Sequence, residues 1–200
     1  MIRTTPLANR LLSTGPTRLL ALLLVLLSFG CHTLPPDPEV VALRGDLGRT
    51  FYTRASVFQE KDVYRTTNYR RGLLVPVNTE VTLISIDARQ AIVDLTDGHT
   101  RLTVQNVPQH TGESMGEAFH TLFAEQPVDL SRFSESERSA ILAGRAEVGM
   151  DKDTVLIALG HPPATLTPSL DASQWLYQDT RWTKFAVTFG ADGRVTAVGR

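Results

Sequence analysis

The side chains able to do acid, base, metal or nucleophile chemistry are few, and their spacing does not assemble them. His99, His110, His120 and His161 stand far apart, with no H-E-x-x-H and no cysteine–histidine spacing. The sequence therefore predicts no metal site and no cofactor. Asp151-Lys-Asp153 has the look of a metal or phosphoryl motif, but it opens an apolar helical run. Helix capping and compensation of the helix dipole account for both carboxylates there. Neither a Gly-x-Ser-x-Gly elbow nor a phosphate loop occurs. With no nucleophile, base and orienter at a recognisable spacing, the chain is expected not to be an enzyme and to have no catalytic residues, although a catalyst assembled only in space stays open.

What is left is suited to binding. Arg181-Trp-Thr-Lys184 lies in or beside a turn between two strands. Trp182 has the opposite parity to Phe185, Val187 and Phe189, so it points away from the face they share. An exposed indole between Arg181 and Lys184 suits an anionic headgroup or a groove on a partner. The alternative is that Trp182 packs on a neighbouring β module. Arg70-Arg71 is a second basic pair, read as a solvated strand edge.

The first 30 residues hold Arg3, Arg10 and Arg18, no acidic residue, and an apolar run from Leu19 to Leu27. That run is too short to span a bilayer, which takes about 20 apolar residues, and it fits the core of a secretory signal. Cys31 is the only cysteine. Leu27-Ser-Phe-Gly-Cys31 resembles a bacterial lipobox, with the leucine one position further from the cysteine than usual. The resemblance implies cleavage before Cys31 and its acylation, palmitate included; the alternative is a free thiol without an intramolecular partner. His32, in place of aspartate, is similar to the sorting pattern that sends lipoproteins to the outer membrane. A proline-rich linker, 31–42, then reads as a stiff extended spacer from Leu34 to Glu39. Loss of the three arginines makes the rest more acidic than the whole chain, whose net charge is −1. General nucleic-acid binding is excluded on that balance.

Behind the linker the signals divide in two. In 43–126, Val81-Thr-Leu-Ile-Ser-Ile86, Ala91-Ile-Val-Asp-Leu95 and Leu102-Thr-Val104 alternate apolar and polar residues, with turns at Asp87–Arg89 and Asp97-Gly98. They predict a β-meander that resembles a small SH3-like barrel, closed by a short helix behind the capping box Ser114-x-x-Glu117. Such a barrel could take a peptide or glycan, or be a scaffold with no ligand. In 127–200, a capping box at Ser134-x-x-Glu137 and an N-cap at Asp151 open two helices, the second running from Lys152 to Leu159 and stopped by Gly160 and Pro162-Pro163. Val155, Leu156 and Leu159 share a face of that helix. Gln174–Tyr177, Phe185–Phe189 and Val195–Val198 read as strands. The expected fold class is α+β: two C-terminal helices packed on a three-stranded antiparallel sheet, preceded by the β-rich module and its short helix.

Gly149-Met150, Val155, Leu159-Gly160, Pro162, Trp175-x-Tyr177, Phe189 and Gly193-x-Val195 resemble the signature of the BamE (SmpA/OmlA) domain family, over about the last third of the chain. These positions are mostly caps, turns and core aromatics. The resemblance implies an outer-membrane lipoprotein on the periplasmic face, taking part in envelope assembly. Three functions follow as expectations. The first is a lipid-anchored interaction module whose partner is an envelope assembly protein or an anionic lipid, with the outer membrane reached through the anchor. The second is a periplasmic glycan- or peptide-binding lipoprotein, and the third a small envelope enzyme.

Overall fold

Alternating apolar residues build the largest element, a curled six-stranded mixed sheet. The computed structural model describes residues 37–96 and 100–199. The expected signal segment 1–30, Cys31, the expected linker as far as residue 36, the turn expected at Asp97-Gly98, and His99 lie outside them. The sheet is made of β1 (Thr50–Thr53), β3 (Val63–Arg65), β5 (Glu80–Ile86), β6 (Gln90–Leu95), β7 (Arg101–Gln105) and β8 (Phe123–Ala124), in the order β3-β7-β6-β5-β1-β8. Every pair is antiparallel except β3 with β7. Val81, Leu83, Ala91, Val93, Leu102 and Val104 point to one side and are buried, as period-two alternation requires. β2 (Val57–Gln59) and β4 (Leu73–Val75) leave this sheet and pair with each other.

Five helices are described, all short. α1 (Pro38–Leu43) is capped by Asp37, whose carboxylate accepts from the Glu39 N–H at 2.9 Å. Proline fits the first turn of a helix because its missing N–H has no partner to lose there. The extended spacer expected through Glu39 is thus corrected to a helix from Pro38, and its Val40 and Leu43 enter the core of the large sheet. α2 (Pro108–Thr111) leads into α3 (Met115–Leu122), where Ser114 and Glu117 form the reciprocal capping box. α1 crosses α3 at Gly116, where a side chain would run into Glu39. Phe119 then meets Phe51 edge to face at 5.2 Å.

α4 (Glu135–Leu142) opens on the Ser134–Glu137 capping box, and α5 (Lys152–Leu159) on Asp151. Gly160 ends α5 with φ +73°, a conformation glycine adopts without strain. β9 (Gln174–Gln178), β10 (Lys184–Phe189) and β11 (Val195–Gly199) form an antiparallel sheet in the order β11-β10-β9. A second hydrophobic cluster joins Trp175, Tyr177, Val187, Phe189 and Val195 of these strands to residues of α4 and α5, and to Val77 from the N-terminal half.

The expected fold class is corrected by this architecture. The chain is mostly β, built on the curled six-stranded mixed sheet and two smaller sheets, and not on two C-terminal helices over a three-stranded sheet. The SH3-like meander gives way for the same reason: β3 enters beside β7 in parallel and β4 departs to β2, so the strands do not pair in chain order. The C-terminal helices are also tied into the N-terminal half. Ser56 Oγ donates to Ile141 O at 2.8 Å and accepts from Val77 N–H at 3.0 Å. Arg70 donates to the carbonyls of Leu159 and Gly144, and its guanidinium lies 4.7 Å from the Phe58 ring centroid. These carbonyls belong to the C-terminal ends of α5 and α4, which lack intrahelical partners and attract a cation. Arg70 is therefore no solvated strand edge; burial pushes it down to about 10, still charged at neutral pH. Arg71 is exposed and pairs with Glu60 at 2.9 Å.

Candidate functional site

Five successive apolar residues, Val155 to Leu159, give α5 more apolar surface than one neighbour can cover. Val155, Ala158 and Leu159 are buried in the second core. Leu156 and Ile157 are only half-buried and line a groove of about 450 Å³. The stripe along the groove is Asp153, Leu156, Ile157 and Gly160, at i, i+3, i+4 and i+7, so the groove follows the whole helix. Leu156 packs against the second core with one part of its side chain and lines the groove with the rest.

The facing walls come from segments earlier in the chain: Arg54 behind β1, Tyr64 of β3, Glu113 ahead of α3, and Thr121 and Leu122 within it. The Arg54 guanidinium donates to His120 O at 2.9 Å, and its N–H to Leu122 O at 2.8 Å. Glu113 is held by Thr121, whose hydroxyl donates to Glu113 Oε1 at 2.9 Å. Arg132 stands near the start of α5, where it helps to hold the Asp151 carboxyl below its ordinary value. Its guanidinium lies 4.7 Å from the Phe133 ring centroid. Arg54, Glu113, Arg132 and Asp153 form no ion pair among the described residues.

Two histidines share this groove. His110 lies opposite the loop after α5, whose Ala164 N–H donates to the His110 carbonyl at 2.6 Å. Its ring Nδ1 is buried with no hydrogen-bond partner among the described residues. Desolvation by the atoms crowded around its ring pushes His161 below the ordinary imidazole value, with Glu113 opposing and Arg54 reinforcing the shift. The side chain is nonetheless exposed, so solvent screens these charges. His120 lies outside the groove, 3.8 Å from Glu39. Among the described residues no three His, Cys, Asp or Glu side chains are placed to hold a metal ion.

The basic turn occupies a separate place. Residues 179–183 join β9 to β10, held by the Thr180 and Thr183 hydroxyls 2.7 Å apart and by the Trp182 and Thr183 N–H groups, which donate to Thr180 Oγ1. Trp182 is 83% exposed, which rules out packing on the β module. The Arg181 guanidinium stacks on the indole at 5.0 Å. Lys184 opens β10, and neither cation makes an ion pair among the described residues. Arg181 and Trp182 are thus stacked on the turn and Lys184 begins the next strand, while none of the three lines the groove. Cys31 lies outside the described residues.

The groove residues Arg54, Glu113 and Arg132 are absent from the sequence-based candidates, because they come from three segments that only the fold brings together. One signal pointed that way: the uninterrupted apolar run from Val155 to Leu159, too wide for a helix with a single buried face. In comparisons with protein-family models, curated proteins and solved structures, nothing matches this chain.

Proposed function

We propose that this chain is a lipid-anchored module on the periplasmic face of the outer membrane, and that it works by holding an envelope partner and not by turning over a substrate. The observation that carries the reading is Trp182. An indole 83% exposed, stacked under Arg181 and two positions ahead of Lys184 in the chain, sits on a turn whose own hydrogen bonds do not use it. Leaving so large an apolar side chain in water forgoes roughly 1.5–3 kcal/mol of burial, which a partner would recover. The anchor rests on the order of Arg3, Arg10 and Arg18, the apolar run and Cys31, and the compartment and assembly role on the resemblance of the C-terminal motif positions to the BamE family.

The partner of this turn is read as an envelope assembly protein, the indole filling a pocket and the two cations meeting acidic groups at its rim. A second reading, an anionic lipid headgroup, is favoured by Arg181 and Lys184, which form no ion pair among the described residues. The variant with Arg181→Ala, Trp182→Ser and Lys184→Ala separates both from a purely structural turn. It is expected to fold and to be exported, and to lose crosslinks to an envelope protein. If the lipid reading holds instead, it loses salt-sensitive binding to vesicles containing phosphatidylglycerol. Unchanged crosslinks together with unchanged vesicle binding would remove the turn from the functional account.

A further inference from the structure

We infer that β11 is an interface between two copies of this chain, which pair edge to edge as antiparallel strands about Val198. The small sheet runs β11-β10-β9, so β11 and β9 are its two edges. The β9 edge is covered: the Leu176 N–H donates to Thr167 Oγ1 at 2.8 Å, and the Gln178 carbonyl accepts from the Arg70 N–H at 3.3 Å. β11 is covered only at its start. The Val195 N–H donates to Met150 O and the Val195 carbonyl accepts from the Gly149 N–H, each at 2.8 Å. Thr196 to Gly199 are exposed.

Backbone parity shows which groups are open. The Phe189 N–H donates to Ser173 O, on the β9 side of β10. Val187, two residues earlier, turns its backbone the same way, and its partner across the other ladder is Val198. In an antiparallel pair, opposite residues either exchange hydrogen bonds or both turn their backbone groups away. The Val198 N–H and C=O therefore point away from β10, and they have no hydrogen-bond partner among the described residues. Strand edges are commonly guarded by lysine, proline or a bulge. Val195-Thr-Ala-Val-Gly199 holds neither lysine nor proline, and its register irregularity, opposite Thr188 and Phe189, lies at the covered end.

A copy of β11 fits what is open. The free groups are backbone donors and acceptors at strand spacing, which another extended backbone matches. With Val198 facing Val198, each N–H donates to the other carbonyl, and Ala197 faces Gly199 on both sides. The covered Val195 of each copy then lies outside the paired stretch, whereas a longer strand from another protein would run past Val195 into Gly149 and Met150. None of the paired residues is charged, so no like charges oppose the two-fold arrangement. Because the β9 edge of each copy is covered, pairing stops at two and joins the two small sheets into one. The pairing needs neither the lipid anchor nor the turn bearing Trp182.

The test is disulfide crosslinking in living cells, with Val198→Cys in the full chain. Leu73→Cys, at a position 69% exposed on β4, is the control, and the parent with Cys31 alone sets the background. The pairing brings the two Cα atoms at position 198 to about 5.5 Å, within disulfide reach. Mild oxidation is expected to give Val198→Cys a reducible band of twice the chain mass, which carries both tags when two differently tagged copies are expressed together. Leu73→Cys is expected to give none above background. No such band at 198, an equal band at 73, or an adduct at 198 with another protein in its place would overturn the inference. Sedimentation equilibrium of the purified protein in density-matched detergent is the second measurement. Val198→Pro removes the outward N–H and leaves the β10 ladder intact, so at an unchanged melting temperature it is expected to weaken the dimer at least about tenfold. A parent that is monomeric throughout, or a variant that dimerises equally, would contradict the pairing. The crosslink decides the matter even if the proline variant fails to fold.

Discussion

Asn68 and Leu159 stand 91 positions apart in the chain, and the Asn68 side-chain amide donates to the Leu159 carbonyl at 2.8 Å. The same nitrogen lies 3.1 Å from the His161 carbonyl, so one amide spans the chain reversal at the end of α5. Asn68 has φ +53°, in the left-handed region that asparagine tolerates better than most residues. Asn68→Ala is expected to remove one of the two donors to the Leu159 carbonyl, the other being Arg70, together with the bond to the His161 carbonyl, and to lower stability by about 0.5–1.5 kcal/mol. Urea unfolding measures this, and an unchanged midpoint would show that the latch contributes nothing.

Asp151 gives a prediction with a definite pH sign. Burial works against its ionised form, but hydrogen bonds from the Thr154 hydroxyl and N–H, at 2.7 and 2.8 Å, together with Arg194 and Arg132, hold it below the ordinary 3.8. A carboxyl depressed by folding stabilises the folded state above its unfolded value and loses that contribution as pH falls through the folded one. Asp151→Ala is therefore expected to cost about 1 kcal/mol at pH 7 through loss of the cap. The difference from the parent should shrink below pH 3.8. Urea titrations at neutral and acid pH follow it; a constant difference across that range would deny the carboxylate its role.

The two tryptophans are predicted to behave oppositely. Trp175 is fully buried, 4.7 Å from the Phe189 ring, with its indole N–H donating to Leu170 O at 3.2 Å. Trp175→Ala should cost about 3–5 kcal/mol through the cavity it leaves. Trp182→Ala should stay within about 0.5 kcal/mol, as exposed positions do. Equal melting temperatures for the two variants would contradict the difference in burial.

Local chemistry was readable in the sequence, and long-range pairing was not. Asp151 and Gly160 bound α5 where their residue types predict, and both capping boxes form, because each feature is decided within a few residues. The strands around Trp175, Val187 and Val195 were legible from alternation. The fold class was misread because it depends on which strands meet. Nothing local to Val63–Arg65 indicates that it will lie parallel to Arg101–Gln105, or that Leu73–Val75 will abandon the meander for Val57–Gln59. Arg70 was misread likewise, since the carbonyls that hold it arrive from Gly144 and Leu159. The basic turn was legible because Arg181, Trp182 and Lys184 are neighbours in sequence; the groove was not, because its walls are neighbours only in space.

The anchor is tested by Cys31→Ala. Two acyl chains hold a protein stably on a membrane, whereas electrostatic attachment is released by salt. The variant is expected to leave the membrane fraction in high salt while the parent stays with it. Retention of the variant like the parent would contradict lipidation at Cys31.

The central claim is that the turn bearing Trp182 meets an envelope partner. Its most direct test places a photo-crosslinking amino acid at position 182 of the protein in living cells, with the same group at Val148, itself 70% exposed on a different loop, as the control. The account predicts a discrete protein adduct from position 182, absent from position 148 and lost when Arg181 and Lys184 are both replaced by alanine. Identical adduct patterns from the two positions, or none at 182 in cells where the protein is exported, would contradict it.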